Sequence, residues 1–217
     1  MLVAAAVCPP TPLVVFALPG LRAACEDAIA RLAKARPERL VVVGGAETAE
    51  AYGGDAAGTL RPWGIDMTTE GGEPVLPLSL TVGRLLLGGD GPDALRSVAF
   101  DASPEECAAL GEELAGGPGR VALLVMADGS ACLGPRAPGR YDEAAEPLND
   151  LIAAAIAAGD PAPLAAIDPG AADRLWVSGR SALQVLAGAA GGKTYEGRLL
   201  MATAPYGVGY FAGCWLS

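Results

Sequence analysis

Three carboxylates, Glu47, Asp101 and Asp128, each fall just past the end of an apolar run that reads as a buried strand. Carboxylates that converge from strand ends can bind a hard cation or move protons. Loop carboxylates more often cap helices and close turns, which is the plainer reading of all three. Cys8 stands at another strand end beside Pro9-Pro10, the place of a nucleophile or a metal ligand. A lone cysteine, however, is usually a small buried hydrophobe. Near the C-terminus, Tyr206, Tyr210 and Trp215 pack the last two strands, or bring a phenol to a cleft. The missing residue type decides more than those present, because the chain has no histidine. Ser130, in Asp128-Gly129-Ser130, therefore has no imidazole to take its proton, and no Gly-x-Ser-x-Gly elbow occurs. A serine triad is excluded.

Leu186–Thr194 (Leu-Ala-Gly-Ala-Ala-Gly-Gly-Lys-Thr) imitates a phosphate-binding loop, but Ala187 stands where that pattern needs its first glycine. The segment also leaves a helix and enters a strand, the reverse of what phosphate binding at a helix N-terminus requires. It reads as a helix stop.

The elements that must position these residues alternate in type. Leu2–Val7, Arg39–Gly45, Ser97–Phe100 and Val121–Ala127 are apolar runs expected as strands, with short strands near Gly64–Thr69. Helical spacing marks Leu21–Ala35, and further helices are expected at Ser79–Leu87, Asp142–Ala158, Pro169–Trp176 and Arg180–Ala190. Ser103, Pro104 and Glu106 form a capping box that starts a helix ending at Gly116-Gly117. Tyr195–Thr203 and Val208–Trp215, joined through Ala204-Pro205-Tyr206-Gly207, read as a hairpin. Continuous apolar strands separated by helices predict a sheet covered on both faces. The expected fold is a single three-layer α/β/α domain over residues 1–217, with a mixed, mostly parallel sheet and a C-terminal antiparallel hairpin. Ligands of such folds sit outside the carboxyl ends of the strands, here Cys8–Pro12, Gly44–Glu50, Asp101–Ser103 and Asp128–Cys132.

Composition bounds the partners. Aromatics are only 5% of the chain, so Ala-faced helices can approach the sheet closely, and the net charge is −10. An acidic surface argues against nucleic acid or an anionic membrane. Five scattered cysteines without a Cys-x-x-Cys pair indicate a reducing, cytoplasmic setting. The apolar N-terminus lacks a basic flank and runs straight into prolines, so it reads as a strand, not a leader.

Several segments together resemble a known family: Met1–Leu13, Leu40–Gly45, Leu123–Ser130, Ala137-Pro138-Gly139 with the Ala-rich helix that follows, Gly179–Leu186 and Ala204–Phe211. They are similar to actinobacterial proteins of the class III extradiol ring-cleaving dioxygenase superfamily, of the B-subunit-like type related to Memo proteins. The resemblance runs along essentially the whole chain, and no single motif carries it. Enzymes of that superfamily hold Fe(II) with two histidines and a carboxylate, leaving positions open for a catecholate and dioxygen. The resemblance places the first imidazole at Pro10, the second within Gly45-Ala46-Glu47 and the acid–base imidazole at Ala131. All three positions lack one.

The resemblance therefore implies a catalytically degenerate homologue, without the Fe(II) site or any other cofactor, in which extradiol cleavage is not expected. It would serve as a small-molecule-binding or protein-interacting module. The alternative is an enzyme with repurposed chemistry, built on Cys8, Glu47, Asp128, Ser130 and Tyr206. A thiolate with carboxylates could hold zinc, and Glu47 with Asp128 could hold magnesium. Expected partners are a small molecule in the strand-end cleft and a second copy of the chain or a partner subunit.

Overall fold

The computed structural model describes residues 1–89 and 91–217. Seven strands form one sheet: β1 (Leu2–Cys8), β2 (Arg39–Ala46), β3 (Ala51–Gly53), β4 (Ala94–Ala99), β5 (Val121–Met126), β6 (Glu196–Thr203) and β7 (Tyr210–Leu216). Their order is β3-β4-β2-β5-β1-β7-β6. The inner strands β4, β2, β5 and β1 run parallel, while β3, β7 and β6 are each antiparallel to the neighbour they pair with.

Both faces of this sheet are covered because its central strands β1 and β5 are apolar and buried at every position. In β1 all seven residues are buried, and the two-residue period of a strand divides them between two cores. Ala4, Ala6 and Cys8 pack with α1 (Leu13–Phe16), α2 (Pro19–Lys34) and α3 (Leu78–Leu87). Ala5 and Val7 face the opposite core. That core holds α4 (Pro104–Gly116), α5 (Ala145–Ala158), α6 (Pro161–Ala165), α7 (Pro169–Arg174) and α8 (Arg180–Ala190). The result is the α/β/α arrangement with a C-terminal antiparallel pair that the sequence predicts. Among the described residues no helix is long and apolar enough to cross a membrane.

Local signals act as their chemistry dictates. Ser103 accepts from the Glu106 amide at 3.2 Å, and the Glu106 carboxylate accepts from the Ser103 amide at 2.8 Å, closing the capping box that opens α4. Gly191 ends α8 in the left-handed conformation, so the Leu186–Thr194 segment is a helix stop.

Several boundaries differ from expectation. Residues 64–69 form no strand, only an isolated bridge from Thr68 to Thr59. The edge strand β3 lies earlier, where Tyr52 pairs with Leu95. The fourth strand begins at Ala94, three residues ahead of the expected Ser97. The long helix begins at Ala145 rather than Asp142, because the Asp142 carboxylate turns back to accept from the Ala144 amide at 2.9 Å. Asp160 caps a separate short helix, α6, between the expected helices Asp142–Ala158 and Pro169–Trp176.

The crossovers create a crevice. The chain leaves β1 and β2 toward the α1–α3 face, whereas it leaves β5, which lies between them, toward the α5–α8 face. Loops that depart in opposite directions from neighbouring strands leave a gap at the carboxyl end of a sheet.

Candidate functional site

A cleft of about 870 Å³ opens at this crevice. Pro10, Thr11 and Pro12 follow β1, Gly45 lies near the end of β2, Phe100 and Asp101 follow β4, and Met126, Asp128 and Ala131 come from β5 and its loop. Because β7 runs antiparallel, its beginning shares this end, adding Val208 and Tyr210. The last wall is the stretch from Pro169 to Arg180, which brings Asp173, Trp176, Val177, Ser178 and Arg180.

Asp128 is the most enclosed carboxylate of the lining. Two backbone bonds pin the loop it begins to the entry of β7: the Gly129 amide donates to the Gly209 carbonyl at 2.7 Å, and the Gly209 amide to the Ser130 carbonyl at 2.9 Å. From the other side the start of α8 closes on Asp128. Gly179 permits this approach, since a Cβ there would lie 2.3 Å from the Asp128 carbonyl oxygen and 2.6 Å from its nitrogen. The Ser178 hydroxyl donates to Asp128 Oδ1 at 2.6 Å. Burial pushes the Asp128 carboxyl up to about 6, against the opposing effect of Ser178 and of the Asp128 and Gly179 backbone. Tyr210, buried beside Thr11 and Asp128, has its phenol raised mainly by loss of water.

Arg180 braces the wall from behind. It is 4% exposed, and its guanidinium donates to the Phe100 carbonyl at 2.6 Å, to Gln184 Oε1 at 3.0 Å and to the Ala102 carbonyl. The Gln184 amide in turn donates to the Ala165 and Ile167 carbonyls. One buried charge thus ties the β4–α4 loop to α8 and the α6–α7 connection.

Of the residues the sequence singles out, Asp101 and Asp128 line the cleft together with Pro10, Gly45 and Ala131. Glu47 is exposed and does not join them. Cys8 is fully buried on the α2 face, away from the cleft. Its position beside Cys25, together with burial, holds its thiol well above the ordinary range, so it is not poised as a thiolate. Ser130 is fully buried, with its hydroxyl donated to the Leu175 carbonyl at 2.6 Å and accepting from the Cys132 amide at 3.0 Å. Ala46 is buried within β2. Tyr206 sits exposed in the β6–β7 turn. Trp215 is core: its indole N–H donates to the Ile156 carbonyl at 2.9 Å and its ring stacks on Tyr195. The set Cys8, Glu47, Asp128, Ser130 and Tyr206 does not converge.

The residues missed are Asp173, Trp176, Ser178 and Arg180, all from one stretch that reads only as two short helices. Its density of aromatic, hydroxyl and charged groups around Gly179 is the signal that marks it.

The donor set does not fit the Fe(II) that the family resemblance implies. Pro10, Gly45, Ala46 and Ala131 carry no metal-binding side chain, Glu47 lies outside the cleft, and a Cβ at Gly45 would lie 2.6 Å from the Phe100 ring. Among the described residues no three Cys, Asp or Glu side chains form a metal-holding group.

No family model matches the chain, and no curated protein matches it. Among solved structures, an uncharacterized protein from Escherichia coli K12, JW3007, is similar over 98% of this chain and 99% of that one, with 14% identity and a TM-score of 0.51. At that identity the likeness is one of fold.

Proposed function

We propose that the chain is a cytoplasmic, catalytically degenerate homologue of the class III extradiol dioxygenases whose strand-end cleft binds a small molecule. One observation carries this reading: Pro10 and Ala131, where the resemblance puts imidazoles, line a single cleft of about 870 Å³ with Gly45, the first residue of the Gly45-Ala46-Glu47 stretch to which it assigns the other. That volume lies within the range of sites that enclose small ligands. The framework of a binding site thus persists around positions that offer no iron ligand.

The test is elemental analysis of protein purified without a polyhistidine tag, followed by an assay for catechol ring cleavage. Iron well below one equivalent after anaerobic Fe(II) loading, with no ring cleavage, is the expected result. Stoichiometric iron together with cleavage overturns the reading.

One observation favours a second reading, an enzyme with repurposed chemistry in the same cleft. Asp128 is half-buried, its carboxyl pushed up to about 6, and stands beside Ser178 and Tyr210, as a proton-transfer group would. Turnover of any compound found to bind, abolished in Asp128→Asn, would select this reading.

A further inference from the structure

We propose that the cleft takes an organic cation, an ammonium group on an aromatic or apolar body, with the ammonium seated at Asp128. This rests on the reading that the cleft binds a small molecule and names the chemical class of that molecule.

The charge on the lining has one sign available to a ligand. Asp101, Asp128 and Asp173 are carboxylates, and among the described residues the single cation of the lining is Arg180. Its guanidinium is already committed to the Phe100 and Ala102 carbonyls and to Gln184, so it is not free to receive an anion. A carboxylate or phosphate ligand would meet three like charges and no open basic partner. The net charge of −10 adds a long-range field that draws cations toward the molecule.

Asp128 lacks what an enclosed carboxylate normally has. The Ser178 hydroxyl and nearby backbone amides face it, and among the described residues no basic side chain pairs with it. A charge taken out of water without a counter-charge is costly. An ammonium arriving at Asp128 would supply the missing partner, the charge-assisted contact that gains most where water is excluded.

The walls describe the rest of the ligand. Phe100 and Trp176 are 42% and 57% exposed and line the cleft, and Tyr210, beside Thr11 and Asp128, lines it with them. Aromatic faces around an anionic centre suit a cation through their ring quadrupoles and suit an apolar body through contact area. Met126, Val177 and Val208 complete an apolar surface. A bare metal ion would use none of this, and no three donor side chains gather to hold one.

The experiment compares three probes with one ring: tyramine, 4-ethylphenol and 3-(4-hydroxyphenyl)propionate, titrated by calorimetry at pH 7.5. Tyramine is expected to bind about tenfold or more tighter than 4-ethylphenol, and the propionate more weakly than both. Asp128→Asn keeps an oxygen to accept from Ser178 and should reduce the tyramine preference to about threefold or less. Trp176→Ala, at an exposed site that does not threaten folding, should weaken tyramine by about threefold to tenfold. It keeps the site testable if Asp128→Asn fails to fold. Equal or tighter binding of 4-ethylphenol or the propionate overturns the cation inference and leaves the small-molecule reading standing. If none of the three binds, a general fragment library read by chemical shifts of the cleft residues separates the two failures. A neutral or anionic hit there overturns only the cation inference, and no hit overturns both.

Discussion

The Ser178 hydroxyl donates a 2.6 Å hydrogen bond to Asp128 Oδ1, joining the loop after β5 to the residue before the N-cap of α8. A donor to an ionised carboxylate stabilises the charged form, so Ser178 holds the Asp128 carboxyl below where burial alone would put it. Ser178→Ala should therefore move its titration above about 6. Carboxyl ¹³C NMR on selectively labelled protein reads the midpoint directly. A midpoint that stays or falls would show that Ser178 does not act on this group.

The same carboxylate makes stability depend on pH. Its folded value of about 6 lies above the ordinary 3.8, so the folded state holds this proton more tightly than the unfolded chain. Its contribution is fully present below the unfolded value and is lost as pH rises through the folded one. Asp128→Asn, neutral throughout, should be more stable than wild type by about 1–2 kcal/mol at pH 7.5. The difference should vanish near pH 3.5. Urea unfolding at both pH values measures this, and a wild type that is the more stable protein at pH 7.5 contradicts it.

Arg180 should matter for structure more than its neighbours at the cleft mouth do. Arg180→Met removes the donors to the Phe100 and Ala102 carbonyls and to Gln184. Leaving those acceptors unpaired should cost about 2–4 kcal/mol, with faster hydrogen exchange confined to residues 100–103 and 165–184. Arg180→Lys, which keeps the charge but loses the fork, should fall between. Equal stability of all three proteins would show the brace to be slack.

Gly179→Ala tests the close approach beside Asp128. Gly179 has an ordinary φ of −74°, so the penalty is one of space. The added carbon would meet Asp128 backbone atoms, which cannot rotate aside. A loss of about 2 kcal/mol or more is expected in urea unfolding. A neutral substitution would mean that α8 can retreat from β5 without loss.

All five cysteines are buried. Ellman's reagent should find essentially none in the native protein and five after denaturation. Rapid native reaction at Cys8 would revive a thiol mechanism.

Much of the scaffold was legible because its strands are unbroken apolar runs and its helix ends carry explicit caps. Asp101 and Asp128 were found by the rule that ligands sit at strand ends. Glu47 obeys the same rule in sequence and not in space. Past Ala46 the chain turns along the edge of β4, where Ser97 Oγ donates to the Thr48 carbonyl and accepts from the Glu50 amide, and this carries Glu47 outside the cleft. Cys8 was misleading for reasons of parity: alternate residues of a strand face opposite ways, and Cys8 shares the α2 face with Ala4 and Ala6. Trp176, Ser178 and Arg180 were missed because their place depends on four helices folding back across the sheet. No local pattern encodes that return.

The antiparallel entry of β7 has a consequence for the order in which the molecule can be completed. Residues 10–12 and residues 208–210 lie side by side in one opening, although β2 to β6 come between them in the chain. During synthesis the stretch after β1 must wait, unmatched, until the stretch before β7 leaves the ribosome. A ligand held here cannot assist the nascent chain. It can only lock the folded domain, clasping two distant stretches of sequence together.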